Sequence, residues 1–149
     1  MYRALQVVAQ SMADDGLLDR SALDSFVFGL WFRTEQDARD PIELDPVLSN
    51  TFDIVEASVR PPQNNASDIF GDLIGNPAAY ARKYTDYMRA FADTTLRAQL
   101  FDPGAKNCAD ANLLASEFYL RFEELYQKHP GKYRFPLLML TVILRKRHP

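Results

Sequence analysis

The chain has 149 residues, 47% of them hydrophobic and 25% charged, with a formal net charge of −3. That length suits one domain, and so apolar a composition, with ten Phe and seven Tyr, excludes a disordered chain. The single cysteine, Cys108, excludes a disulfide-scaffolded secreted fold and favours a reducing compartment.

Leucine and alanine, at 18 and 17, outnumber the β-branched residues, at Val 7, Ile 5 and Thr 6. Leu and Ala lose little rotamer freedom in a helix, whereas pleated sheets favour β-branched side chains, so the composition predicts an all-α fold. Periodicity and capping residues predict a single-domain bundle of about six or seven helices over residues 1–149, with no strand pair and a loop break near 59–66. No internal repeat recurs, which favours a bundle over a solenoid.

The first predicted helix runs from Tyr2 to Asp14, with Leu5, Val8 and Met12 on one face and Gly16 at its C-terminal end. The second begins at Ser21 and runs to about Thr34. It is apolar on most sides through Phe26, Val27, Phe28, Leu30, Trp31 and Phe32, which predicts a buried central helix. Asp45-Pro46 reads as N-cap and first helical position of a third, which continues through Phe52, Ile54 and Val55. Arg60-Pro61-Pro62-Gln63-Asn64-Asn65 stops it.

A short helix is predicted over Ile69 to Ile74. Asn76-Pro77 repeats the cap-and-proline signature before the longest helix, Ala78 to Phe101. Asp102-Pro103-Gly104 turns the chain, and Asp110 caps a helix running to Lys128. The last predicted helix, Pro136 to Arg145, is apolar all round and, with the second, is expected to be the most buried.

Candidate chemistry is sparse. Asp14-Asp15-Gly16-Leu17-Leu18-Asp19 is similar to the middle of a calcium-binding loop, but Ser11, Ala13 and Ala22 fall where ligands belong, so no metal site is predicted. His129 and His148 lie in loop or tail positions, and no H-E-x-x-H or C-x-x-C spacing occurs. Cys108 has no histidine nearby in sequence, and Gly-rich phosphate loops are absent, so neither catalytic residues nor a cofactor are expected. Asn65-Ala66-Ser67 matches a glycosylation sequon without a secretion signal beside it.

Two features point to binding. Tyr80, Tyr84, Tyr87 and Phe91 share one helix face, flanked by Arg82 and Lys83. Such a stripe packs a core, or, if exposed, supplies stiff contact area with a polar handle for a partner protein. Charge is also divided unevenly: residues 1–127 hold 11 basic and 20 acidic residues, residues 128–149 six basic and none acidic. Arg145, Lys146 and Arg147 are therefore candidate phosphate contacts, although the acidic body argues against broad nucleic-acid affinity.

The N-terminus lacks a signal-peptide pattern, and the longest apolar run, Phe135 to Leu144, is about half the length that spans a bilayer. A cytoplasmic protein without a transmembrane segment is expected. The reading is a non-enzymatic helical protein-binding module of adaptor, inhibitor, immunity or chaperone type, able to self-associate through its C-terminal helix. The alternatives are a nucleic-acid-associated regulator using the basic tail, and a small helical enzyme whose site is assembled from dispersed residues such as Tyr84, Asp86 and Glu117.

Overall fold

The computed structural model describes residues 1–29, 33–61, 68–103 and 108–147. In chain order its elements are α1 (Tyr2–Asp14), α2 (Arg20–Ser25), α3 (Glu35–Glu43), α4 (Pro46–Thr51), β1 (Phe52–Arg60), a 3₁₀ turn (Gly71–Leu73), α5 (Pro77–Leu96), a π-type turn (Arg97–Phe101), α6 (Cys108–Lys128) and β2 (Met139–Lys146). The all-α expectation is thereby corrected: the protein is mostly helical but mixed, with a two-stranded antiparallel sheet. Among the described residues no helix is long and apolar enough to cross a membrane.

The chain forms two compact units, one from residues 1–29 and 68–135, the other from 30–67 and 136–149. The first unit is helical, with α1, α5 and α6 packed together. In α1, Leu5, Val8 and Met12 are buried at the spacing the sequence indicated, and Gly16 follows with φ of 73°. Asn76 accepts a hydrogen bond from Ala79 N–H and Pro77 opens α5, as the sequence predicts. Met88, Phe101, Phe118, Phe122 and Tyr126 are wholly buried between these helices. Each such large apolar side chain contributes about 1.5–3 kcal/mol by leaving water.

The second predicted helix is not formed as expected. Helix α2 stops at Ser25, is capped by Asp19 rather than Ser21, and buries none of its residues. Phe26 and Phe28 then turn inward to the core while Val27 is 67% exposed, its N–H donating to Gln99 Oε1 at 3.1 Å. That is the two-residue alternation of extended chain, which a helical reading of Phe26-Val27-Phe28 takes for all-round burial. Leu30, Trp31 and Phe32 lie outside the described residues.

The second unit holds α3, α4 and the sheet. Thr34 and Asp37 form a reciprocal capping box at the head of α3, with Thr34 N–H donating to Asp37 Oδ2 at 2.7 Å and Asp37 N–H to Thr34 Oγ1 at 3.2 Å. Asp45 caps α4 by accepting from Val47 and Leu48 N–H at 2.8 and 3.0 Å. The third predicted helix ends here, at Thr51, because Phe52 to Arg60 is a strand.

The last predicted helix is also a strand, β2, and it is not buried: Met139, Ile143 and Leu144 are 48%, 46% and 42% exposed. Strand β1 pairs β2 antiparallel from Phe52 opposite Lys146 to Arg60 opposite Met139, with a bulge at Val55. Opposed residues share a face, so Phe52, Ile54, Ala57, Val59, Leu140, Val142 and Leu144 form one largely apolar side of the sheet, with Lys146 opposite Phe52 at its end. Asp53, Glu56, Ser58, Arg60, Thr141 and Arg145 lie on the other, with Met139 and Ile143 as its apolar members.

Candidate interaction surface

The tyrosine stripe divides. Tyr80 and Tyr84 have no exposed surface, Tyr87 is half-buried, and Phe91 is exposed at the rim. Tyr80 Oη donates to Asp68 Oδ2 at 2.6 Å, and Tyr84 Oη donates to Asp68 Oδ1, deep in the first unit. The same hydroxyls accept from the backbone N–H of Gly131 at 3.2 Å and of Phe135 at 2.8 Å. Asp68 and two tyrosines thus tie the segment after α6 to α5. Burial, then the bond to Asp68, raises the Tyr80 phenol to about 12, and the same causes raise Tyr84. These two rings face the core of the first unit.

Arg82 and Lys83 are exposed on α5. On the same unit a groove of about 370 Å³ is lined by Tyr2, Leu5, Ala9, Leu23, Phe26 and Phe28, with Gln6, Gln10 and Asp24 as polar members. The acidic loop after α1 is structural: Asp14 pairs with Arg20, Asp15 with Arg121, and Asp19 caps α2. Among the described residues no group of three His, Cys, Asp or Glu is placed to hold a metal ion. His129 N–H closes the last turn of α6 onto Leu125, and Cys108 is the first residue of that helix. His148 and the Asn65 sequon lie outside the described residues.

The basic tail belongs to the second unit. Arg147 pairs with Asp53 at 2.7 Å, and its backbone N–H donates to Thr51 O at 2.8 Å. Arg145 and Lys146 are exposed at the end of β2, with no ion pair among the described residues. The structure therefore brings Arg145, Lys146 and Arg147 together on a strand end, away in sequence from Tyr80, Tyr84, Tyr87, Arg82 and Lys83.

Sequence reasoning missed the edge of β2. Val59 N–H leaves the ladder to donate to Glu35 Oε1 at 3.2 Å, so the Val59 and Leu140 pair is one whose main-chain groups point away from each other. Arg147, bonded to Thr51, marks the opposite parity at the other end. Alternation then directs the N–H and C=O of Leu140, Val142 and Leu144 outward, where they have no hydrogen-bond partner among the described residues. Among the described residues, Glu35 blunts the edge of β1, whereas β2 presents an apolar strand with an open edge. An open edge of this kind is a template for another strand. The signal available in the sequence was the β-branched run Thr141-Val142-Ile143, strand-favouring despite the leucines around it.

No protein-family model matches the chain, and no curated protein and no solved structure matches it significantly.

Proposed function

We propose that this protein is a non-enzymatic binding module that takes an extended segment of another polypeptide onto the open edge of β2. The observation that carries the reading is the outward-facing main chain of Leu140, Val142 and Leu144. In strand addition such groups supply affinity through main-chain hydrogen bonds, and alternate side chains supply selectivity. Two further features support it. A two-stranded sheet is marginal alone and gains from a third strand. Exposed Met139, Ile143 and Leu144 offer apolar surface that an added strand covers. Arg145 and Lys146, at the end of the strand, disfavour basic residues near the start of an antiparallel ligand.

The nucleic-acid reading is less well supported, since Arg147, one of its three contacts, is committed to Asp53. The test is selection of extended peptides from a display library, followed by titration against the protein and its V142P variant. Val142 N–H faces outward, so proline there leaves the β1–β2 ladder its bonds while removing a donor from the edge. Selected peptides are expected to bind V142P at least about tenfold more weakly, with its circular dichroism unchanged. Equal binding to both chains, or failure to select any peptide, would overturn the reading.

A further inference from the structure

We infer that the strand received at this edge is β2 of a second copy of the chain, paired antiparallel about Val142 in a twofold-symmetric dimer. The inference rests on the strand-addition reading and goes further in naming the occupant and its register. Outward main-chain groups recur on Leu140, Val142 and Leu144, and by the same alternation on Lys146 at the strand end, so a partner strand must bring outward groups to the three apolar positions.

A second β2 does this in full when Val142 faces its own counterpart. Leu140 then meets Leu144 of the second copy, Leu144 meets Leu140, and about six main-chain hydrogen bonds close the edge. Centring on Thr141 instead sets Leu144 against Leu138, outside β2, and centring on Ile143 sets Leu140 against the cation of Lys146 rather than against another apolar residue. In the Val142 register the apolar sides of the two sheets also join, Leu140, Val142 and Leu144 running into the same residues of the second copy. On the other side, Thr141 lies opposite Ile143 in both directions. The strand is self-complementary, as a twofold interface requires.

Charge selects the same arrangement. Every residue from 128 onward that carries a charge is basic, and on β2 those charges are Arg145 and Lys146 at one end. Parallel pairing sets these cations side by side. Antiparallel pairing about Val142 puts the two Lys146 residues roughly 26 Å apart at ~3.3 Å per residue, well beyond the screening length of about 8 Å. Lys146 then lies opposite Leu138, which is 59% exposed and uncharged.

The test is sedimentation equilibrium on the full chain, up to roughly 100 μM. The wild type is expected at twice the 17.0 kDa chain mass and V142P at the chain mass. Two double variants fix the register, because each changes half-buried Thr141 and exposed Ile143, which share one side of the sheet, and they differ only in sign. T141E/I143K places Glu opposite Lys across the dimer twice and is expected to remain dimeric. T141K/I143K places Lys opposite Lys twice and is expected to dissociate at least about tenfold more readily. Circular dichroism of each variant separates dissociation from unfolding. A monomeric wild type, a dimer that persists in V142P, or double variants that dissociate equally would overturn the inference. If the wild type is monomeric while V142P still loses affinity for the selected peptides, strand addition stands and only the second copy is wrong.

Discussion

Removing one hydroxyl, that of Tyr84, tests how the first unit is held together. In Y84F, Asp68 Oδ1 loses a donor and the Phe135 N–H loses its acceptor at 2.8 Å, while the ring and its stacking on Tyr126 remain. A hydrogen bond to a charged group contributes about 1.5–3 kcal/mol, and a partly buried amide left without a partner adds about 1 kcal/mol. Asp68 keeps Tyr80 Oη and the Phe70 N–H, which limits the loss. The expected cost is therefore about 2–4 kcal/mol, read as a lower urea midpoint at unchanged slope by far-ultraviolet circular dichroism. The control is Y87F, whose ring is half-buried and whose hydroxyl has no hydrogen bond among the described residues; it should cost under about 0.5 kcal/mol. Because Asp68 and Tyr84 share one bond, D68N/Y84F should fall short of additivity by about 1 kcal/mol or more. A loss in Y84F no greater than in Y87F would refute the claim that this network fastens the segment after α6 to α5.

Other consequences follow from the same structure. Tyr80 has its phenol raised to about 12 by burial, and Tyr84, Tyr119 and Tyr126 are raised by the same cause, so the folded state holds these protons more tightly than the unfolded chain does. Their contribution is fully present below pH 10; that of Tyr80 is lost as pH rises through about 12 and that of the other three at higher pH, so tyrosinate absorbance should grow together with the loss of helix signal. Independent titration of these phenols near 10 in a folded chain would contradict this. Gly131 has φ of 77°, and a Cβ there would lie 2.8 Å from Ile74 Cδ1, so G131A should cost about 1–2 kcal/mol in urea denaturation. Asp45 satisfies two amides at the start of α4, and D45A should cost about 1 kcal/mol, seen as faster amide exchange at Val47 and Leu48.

Local signals were legible wherever the structure is locally determined. Leu5, Val8 and Met12 marked the face of α1, and Asn76-Pro77 and Asp45-Pro46 marked helix starts that form as written. The sheet was hidden for two reasons. Strand β1 finds its partner some eighty residues away, so neither strand carries a turn signal toward the other. The composition also averages two unlike units: of the 18 Val, Ile and Thr, seven fall in residues 30–67 and three in 136–149, the segments that build the sheet-bearing unit. A bulge at Val55 further disguised β1, because it breaks the alternation of Phe52 and Ile54 from that of Ala57 and Val59. Of the binding features, the basic run to Arg147 was visible in charge alone. The buried half of the tyrosine stripe was not separable from its exposed half, since spacing defines a helix face and burial depends on what packs against it.

Residue-resolved amide exchange along β2, measured as protein concentration is raised or a selected peptide is added, tests the open edge most directly. Thr141 and Ile143, whose amides face β1, should be protected throughout. Leu140, Val142 and Leu144 should exchange freely when dilute and gain protection as the edge is occupied. If these three amides are protected equally at every occupancy, or exposed at every occupancy, the edge of β2 does not receive a strand.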